Sequence, residues 1–233
     1  MSFFKQWLNS WRARRGIETA RASNVGRGSY LSSRVQVYGW TRVRIGRNTV
    51  ICDDTLLNAI NCPGDQPAIT IGDHCFIGRR NFLNAGESLL LGDYCLTGSD
   101  CHFLGSDHIY ASPFMPYITA GNTMGGVSQL GPNVWLGARV TVMKGVQIGY
   151  GAIIGAASVV TRDVPPLSVA VGSPARVVKR FDIARSAWVP VEDFPLDGEA
   201  RFPGESEYLA NLRQTHPSVR MPVRAIGIEF GDL

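Results

Sequence analysis

The sequence predicts an all-β fold, a parallel β-helix built from very short strands. Three periodic features carry this prediction. From residue 130 to 160 every sixth residue is aliphatic, glycine follows it in four of the six hexads, and the fifth position is always small or β-branched. A period of six fits neither the 3.6 of a helix nor simple strand alternation. It is typical of a strand and a turn, repeated. The aliphatic positions are Leu130, Leu136, Val142, Ile148, Ile154 and Val160.

Shorter runs with the same period lie upstream. Three hexads close a triangular coil, and we expect successive coils to stack at about 4.8 Å. The aliphatic and fifth-position side chains should point inward, and glycine should allow the turn at each corner. The register slips predict loops at 62–68 and 107–128. The upstream runs are Val25, Leu31, Val37 and Val43; Ile45, Ile51 and Leu57; Ile71, Ile77 and Leu83; and Leu91, Thr97 and Phe103.

The composition is that of a globular chain. Of 233 residues, 45% are hydrophobic and 18% charged. No run approaches the roughly 20 apolar residues of a membrane span, and the N-terminus lacks the apolar region of a signal peptide. We therefore expect a cytoplasmic protein. The five cysteines lack CxxC spacing, which predicts neither a disulfide framework nor a zinc site.

The net charge of +4 is concentrated at one end. Residues 1–21 carry five basic residues and one acidic residue, and the rest of the chain is neutral. A nucleic-acid surface is not predicted, because no domain is basic as a whole. Residues 1–16 predict an amphipathic helix that either caps the first coil or contacts an anionic membrane.

The chain is thus expected to have three parts. These are a helical cap at 1–22, the β-helix at 23–180, and a C-terminal extension at 181–233 that leaves the hexad pattern. The extension is rich in proline, and one short helix is predicted within it near residues 205–214.

Four motifs resemble the hexapeptide-repeat acyltransferases, particularly the galactoside, maltose and surface-polysaccharide O-acetyltransferases. They are GPNVWLG at 131–137, GVQIG at 145–149, IGAASVVTRDVP at 154–165 and GSPARVV at 172–178. The resemblance covers roughly residues 24–180. It implies left-handed coils, a homotrimer, and transfer of an acetyl group from acetyl-CoA, without a metal, to a hydroxyl of a sugar or polysaccharide precursor.

His108 is the candidate general base. It lies in GSDHIY at 105–110, where the hexads stop and the long loop begins, and the resembling family has its catalytic histidine at this place. Imidazole, with a pKa near 6.5, suits proton removal from a hydroxyl. We expect His108 to deprotonate the acceptor and then protonate the departing CoA thiolate. The alternative is a loop histidine bonded to backbone.

Asn84 is the second candidate catalytic residue, and together with three residues of the long loop it is a candidate acceptor contact. Asn84 matches a family asparagine that touches the acceptor, although asparagine also tolerates a left-handed corner nearly as well as glycine. Asp107 is expected to orient the imidazole. Tyr110 and Tyr117 belong to an aromatic, proline-stiffened arm that either walls a sugar ring or packs against a neighbouring subunit.

The resemblance also assigns a CoA site. Small residues would let backbone amides approach the pantetheine arm, and cations would bind the phosphates. The family usually has lysine where this chain has Arg162, and the alternative for the basic residues is an ordinary solvated face. The assigned residues are Trp135, Ala138, Ala156, Thr161, Arg162, Arg176 and Lys179.

Other functions remain open from the sequence. A zinc enzyme like the γ-class carbonic anhydrases would need His74, His102 and His108, but the last two are six residues apart instead of five. A non-catalytic binding solenoid would use the same fold. Within the acyltransferases, the acceptor is alternatively a streptogramin-type antibiotic hydroxyl or an amino-sugar nitrogen.

Overall fold

The chain forms a three-sided solenoid in a computed structural model. The structure describes residues 19–60, 62–217 and 219. It passes through three sheets in turn, and each strand pairs in parallel with the corresponding strand of the next coil. The sequence prediction of a parallel β-helix is therefore confirmed. The strands are two to four residues long within the coils, which explains why neither helical nor alternating periodicity describes them.

The three faces have the following strands. The first face contains β1 (Tyr30–Leu31), β4 (Val50–Ile51), β7 (Phe76–Ile77), β10 (Leu96–Thr97), β15 (Trp135–Leu136) and β18 (Ile153–Ile154). The second contains β2 (Gln36–Tyr38), β5 (Leu56–Asn58), β8 (Phe82–Asn84), β11 (His102–Leu104), β16 (Thr141–Met143) and β19 (Val159–Val160). The third contains β3 (Val43–Ile45), β6 (Ile69–Ile71), β9 (Ser88–Leu91), β14 (Val127–Leu130) and β17 (Gln147–Ile148).

The hexad side chains fill the interior as predicted. Each residue of the 130–160 series is 2% exposed or less, and the upstream series from residue 43 onward is likewise buried. The fifth positions also point inward, and Cys75, Cys95 and Cys101 occupy this slot as small apolar groups. Polar members of the slot satisfy corner carbonyls: the Thr55 hydroxyl donates to the carbonyl of Gly78 at 3.0 Å.

The repeating glycines serve a different purpose from the one predicted. Gly137 does not have a positive φ; the left-handed corner residue is two positions later, at Arg139 with φ 61°. Asn133 and Ala157 occupy the equivalent corner in neighbouring coils. A Cβ at Gly137 would instead lie 2.6 Å from the backbone nitrogen of Ala156 in the next coil. Glycine is required there because the coils approach closely, so the expected corner role was wrong.

Two insertions interrupt the coils near the predicted places. The guanidinium of Arg42 anchors the first by donating to carbonyls at Cys62, Pro63 and Gln66. The second leaves the solenoid at Gly105, two residues earlier than expected, and returns before Val127. It is a hairpin and not a simple loop. Its elements are β12 (Ser106–His108), a 3-10 turn at Tyr117–Thr119 and β13 (Asn122–Met124).

The C-terminal region first extends the first-face sheet and then folds back along the solenoid. The added strands are β20 (Ser168–Gly172), β21 (Ala175–Asp182) and β22 (Ala187–Pro190), followed by 3-10 turns at Val191–Asp193 and Gly198–Arg201. Another 3-10 turn, at Trp40–Arg42, lies between the second and third faces. The predicted short helix is present at Glu205–Thr215. It is fixed to the coils by the Arg213–Asp93 ion pair at 2.6 Å.

The two ends of the chain extend beyond the described residues. Residues 19–24 are helical, whereas the amphipathic helix predicted for 1–16 lies outside the described part of the chain. Among the residues that are described, no helix has the length and apolar character needed to cross a membrane.

The close approach of the coils makes a prediction about stability. Gly137→Ala should lower the free energy of unfolding by about 1–3 kcal/mol, the usual cost of overpacking. Gly204→Ala is the control, because a Cβ at Gly204 meets nothing within 4 Å. Chemical denaturation of both variants measures the difference. Equal stability of the two would show that the glycine column does not limit coil spacing.

Candidate functional site

The hairpin formed by β12 and β13 presents two different faces. Its antiparallel register pairs Ser106 with Met124, Asp107 with Thr123, and His108 with Asn122. Neighbouring side chains on a strand point to opposite sides, whereas directly paired residues point to the same side. Ser106 and His108 therefore share one face, and Asp107 lies on the other.

The side of the hairpin that carries Ser106 and His108 borders a groove of about 320 Å³. The floor of this groove is the second face of the solenoid. Register stacks Tyr38, Asn58 and Asn84 on successive coils below the hairpin. His108 is exposed and lies on the groove side of β12. The arrangement thus places His108 on the side of the hairpin that borders the groove, whereas Asn84 is one of the residues that line it. Residues lining this hairpin groove include Tyr38, Asn58, Asn84, Ser106, Asn122 and Met124.

Asn84 is held by side-chain hydrogen bonds and has no special backbone conformation. It is not among the residues with positive φ, so the alternative of a left-handed corner asparagine is wrong. Its Nδ2 donates to the hydroxyl of Ser106 at 3.1 Å, and its Oδ1 accepts from the amide of Asn58 at 3.4 Å. The side chain is therefore oriented within the groove.

Asp107 is engaged away from the groove. Its carboxylate forms an ion pair with Lys144 of the next coil at 2.8 Å. The stem of Lys144 lies against Gly125, where any side chain would collide with it. The expectation that Asp107 orients the imidazole of His108 is therefore wrong for this structure, because strand alternation points the two side chains in opposite directions. Asp107 fastens the base of the hairpin instead.

Tyr110 and Tyr117 lie on the arm, the segment 109–121 that joins β12 to β13. They are 76% and 50% exposed, and neither lines the hairpin groove in the single chain. Two aliphatic or aromatic neighbours are even more exposed, Phe114 at 97% and Ile118 at 86%. Four large exposed aromatic or aliphatic side chains on one short segment suit an interaction surface.

The residues assigned to CoA occupy three separate places on the single chain. Ala138 and Ala156 follow β15 and β18 and are stacked at the corner between the first and second faces, because Leu136 pairs with Ile154. Thr161 and Arg162 follow β19 and lie at the opposite edge of the second face. These four residues are exposed.

The remaining assigned residues belong to the first-face sheet. Arg176 and Lys179 are exposed on β21, opposite Val171 and Val169. Trp135 projects from β15 and borders a mostly apolar cavity of about 230 Å³ that Phe76 and Leu96 also line. One chain therefore does not gather the whole set onto one surface.

The cysteines are poorly suited to act as nucleophiles. Burial raises the pKa of the Cys52 thiol to about 11, and it also raises the pKa of Cys62 and Cys101. The reactive thiolate is disfavoured at neutral pH. Among the described residues, no three His, Cys, Asp or Glu side chains are grouped as a metal site would need.

The sequence did not indicate several residues that line the groove or hold the base of the hairpin. Asn58 occupies the same hexad position as Asn84, one coil earlier, so the repetition of asparagine was an available signal. Ser106 precedes His108 by two, the spacing that places two side chains on one strand face. Asn122 and Lys144 had no comparable signal, because only the hairpin register and the coil stacking bring them to the site.

The ion pair at the hairpin base gives a testable expectation. Lys144→Met should speed backbone hydrogen exchange in peptides covering 105–126 by about two- to fivefold, the range for a partly exposed ion pair. Lys144→Arg should retain slow exchange, and Lys179→Met on β21 is the matched control. Unchanged exchange in Lys144→Met would contradict the fastening role.

Two family descriptions match parts of the chain. "Bacterial transferase hexapeptide (six repeats)" matches residues 128–162, and "Hexapeptide repeat of succinyl-transferase" matches residues 68–99. The matched segments lie on either side of the hairpin insertion and coincide with runs of regular coils.

Named relatives are similar over a larger part of the chain. A probable acetyltransferase of Mycobacterium tuberculosis is 29% identical over 181 residues, which are 76% of this chain and 58% of that protein. A chloramphenicol acetyltransferase of Klebsiella aerogenes is 32% identical over 117 residues, 50% of this chain and 53% of that protein. The chain thus spans little more than half the length of these relatives.

A solved structure has the same fold. The N-acyltransferase AntD of Bacillus cereus, in complex with dTDP and 3-hydroxybutyryl-CoA, aligns with a TM-score of 0.61 at 20% identity, covering 86% of this chain and 96% of that one. The period of six residues, the three-sided solenoid and the matched repeats agree with one another. The chain therefore contains transferase-type hexapeptide repeats on either side of the hairpin and resembles named acetyltransferases.

Proposed function

We propose that the chain is an acetyl-CoA-dependent O-acetyltransferase whose acceptor is a hydroxyl of a sugar or polysaccharide precursor. The observation that carries this proposal is that His108 shares one side of the hairpin with Ser106 and Asn122, which line a groove of amide and hydroxyl side chains. Such uncharged hydrogen-bonding groups suit a polyhydroxylated acceptor. The similarity to acetyltransferases supports the choice of reaction.

The reaction is direct transfer with His108 as general base. The imidazole removes the proton of the acceptor hydroxyl while the oxygen attacks the thioester carbonyl. The tetrahedral intermediate then collapses, the carbon–sulfur bond breaks, and the imidazolium protonates the CoA thiolate. No covalent enzyme intermediate is required. The raised pKa of the cysteine thiols, caused by burial, is consistent with a route that avoids them.

The donor is proposed to be acetyl-CoA, held by the residues that the family resemblance assigns. Ala138 and Ala156 leave the corner backbone accessible to a narrow pantetheine arm. Arg162, Arg176 and Lys179 are exposed cations that fit the phosphorylated nucleotide end. AntD was solved with 3-hydroxybutyryl-CoA, which supports a CoA thioester as the donor class.

We further propose that the active unit is a homotrimer. Ala138 and Ala156 lie at one edge of the second face and Thr161 and Arg162 at the other, so one bound molecule would contact both pairs only if two chains pack side by side. The exposed arm with Phe114 and Ile118 supplies an apolar surface for this contact. Tyr110 and Tyr117 would then approach the site of the neighbouring subunit.

The remaining structural expectations stay proposals. We propose left-handed coils, as in the resembling family, and the division into a cap at 1–22, a β-helix at 23–180 and an extension at 181–233. A cytoplasmic location fits a CoA-dependent reaction. Contact of residues 1–16 with a membrane is proposed only as the alternative to capping.

A second candidate is N-acetylation of an amino sugar. The observation that favours it is the fold similarity to AntD, which is an N-acyltransferase. Acetylation of an antibiotic hydroxyl is a further candidate, since one relative is named chloramphenicol acetyltransferase. Product analysis separates oxygen from nitrogen acetylation.

The catalytic proposal predicts the effect of removing the imidazole. His108→Ala should lower kcat for acetyl transfer by about 10²–10⁴-fold, the usual contribution of a general base, with little change in KM for acetyl-CoA. Thiol release from acetyl-CoA in the presence of simple glycosides and amino sugars measures it. His216→Ala, at the end of the C-terminal helix, is the control. A His108→Ala variant with wild-type kcat would eliminate this mechanism.

The trimer proposal predicts the behaviour of the arm. Wild-type protein should have a molar mass three times that of the 25.4 kDa chain. The double substitution Phe114→Ser/Ile118→Ser should weaken assembly because apolar burial is lost. Size-exclusion chromatography with light scattering gives the mass. Leu196→Ser is the matched control, because Leu196 is also an exposed apolar residue but lies outside the arm. A monomeric wild type would refute the proposal.

A further inference from the structure

A chain of side-chain hydrogen bonds runs across the hairpin groove. The Nδ2 of Asn58 on β5 donates to the Oδ1 of Asn84 on β8 at 3.4 Å. The Nδ2 of Asn84 in turn donates to the hydroxyl oxygen of Ser106 on β12 at 3.1 Å. All three residues line the groove, so the chain links two coils of the solenoid to the hairpin that bears His108.

The direction of this chain is set by the backbone. The amide nitrogen of Ile60 donates to the Oδ1 of Asn58 at 3.4 Å. A backbone N–H can only donate, so the atom of Asn58 that faces it must be the oxygen. The other atom of that amide is then a donor toward Asn84, and Asn84 must present its own amide hydrogens to Ser106. In this hydrogen-bond relay, formed by Asn58, Asn84 and Ser106, every bond therefore donates in the same direction, from Asn58 toward Ser106.

This polarity determines what the serine hydroxyl offers to a ligand. A hydroxyl has one proton and two acceptor lone pairs. Ser106 accepts from Asn84, so its own proton cannot be used in that contact. Within the part of the chain that the structure describes, the Ser106 hydroxyl makes no other hydrogen bond. The proton is thus available to the groove, on the same face of the hairpin as His108.

We propose that Ser106 is a catalytic residue that donates a hydrogen bond to the nucleophilic oxygen of the acceptor, with Asn58 and Asn84 as positioning residues. This inference rests on the proposed acetyltransferase function. An acceptor hydroxyl has a proton for His108, one lone pair for Ser106 and a second lone pair for the attack on the thioester carbonyl. The acceptor oxygen can therefore donate to His108, accept from Ser106 and attack the thioester at the same time. The side chains of His108 and Ser106 together hold this oxygen in position.

The number of lone pairs also distinguishes an oxygen acceptor from a nitrogen acceptor. A neutral amine has only one lone pair, and a hydrogen bond from Ser106 would occupy the electrons that must attack. The fixed donor at Ser106 therefore selects for hydroxyl acceptors over amines. Within the proposed acetyltransferase function, this favours O-acetylation over N-acetylation.

Reversing the relay should reverse the preference. In Asn58→Asp the carboxylate can only accept, so the Asn84 amide would turn to donate to it and present its oxygen to Ser106. The Ser106 hydroxyl would then donate to Asn84 and leave only lone pairs facing the groove. Such a site accepts hydrogen bonds from an N–H acceptor and no longer donates to an oxygen.

The kinetic test uses methyl β-D-galactopyranoside as the hydroxyl probe and D-glucosamine as the amine probe, with N- and O-acetyl products separated by NMR. Ser106→Ala should lower kcat/KM for hydroxyl acetylation by about tenfold, the value of one hydrogen bond, with KM for acetyl-CoA unchanged. Ser106→Thr should restore activity. Asn58→Asp should cause a similar loss and raise the ratio of N- to O-acetylation. The double variant Asn58→Asp/Ser106→Ala should be no worse than Ser106→Ala.

Gln129→Glu on the third face is the matched control for exchanging an amide for a carboxylate. If wild type and His108→Ala acetylate both probes equally, the proposed function fails. If His108→Ala is inactive while Ser106→Ala and Asn58→Asp keep wild-type rates and product ratios, only the relay is wrong.

An acceptor-free measurement tests the relay in every case. Side-chain amide resonances of Asn84 should shift in both Ser106→Ala and Asn58→Asp, because each removes or reverses a hydrogen bond to that amide. Resonances of Asn84 that match wild type in both variants would overturn the proposal, whatever acceptor the protein uses.

Discussion

Backbone hydrogen bonding between successive coils is the constraint on which the rest of this structure depends. The amide of Gly72 donates to the carbonyl of Leu91, that of Gly92 to Leu130, and that of Gly131 to Ile148, each at 2.8 Å. Strands of two to four residues have no stability alone, so each coil relies on the next to satisfy its peptide groups. The fixed spacing of the coils excludes a Cβ at the repeating glycines and bulky groups at the inward fifth position. The hexad pattern in the sequence follows from that spacing.

The proposed catalytic site lies where the chain leaves this regular pattern. At Gly105 the chain departs from the second face as a hairpin, and the stacking of coils then provides different surroundings for its two sides. The lower side faces the amides of Asn58 and Asn84, and the upper side is fastened by Asp107 to Lys144. The solenoid thus contacts the projecting hairpin on both sides of the hairpin. This arrangement is how a loop residue such as His108 obtains a defined position.

The single chain exposes features that a larger assembly would use. The arm exposes Phe114 and Ile118, and the residues assigned to CoA are divided between two edges of the second face and the first-face sheet. Both observations have the same physical explanation in the proposed trimer. In that trimer, two solenoids lying side by side would form a cleft that brings the separate sets together.

The sequence by itself determined the parallel β-helix, the buried positions and the approximate places of both insertions, because a local period of six residues dictates which side chains point inward. It also indicated His108 and Asn84 through family resemblance. It could not assign the glycines correctly, because their requirement comes from the neighbouring coil and not from local φ. Nor could it separate Asp107 from His108 or connect Ser106 with Asn58. Those relations depend on strand register and coil stacking, which place residues from different coils within hydrogen-bonding distance, and only the tertiary structure decides them.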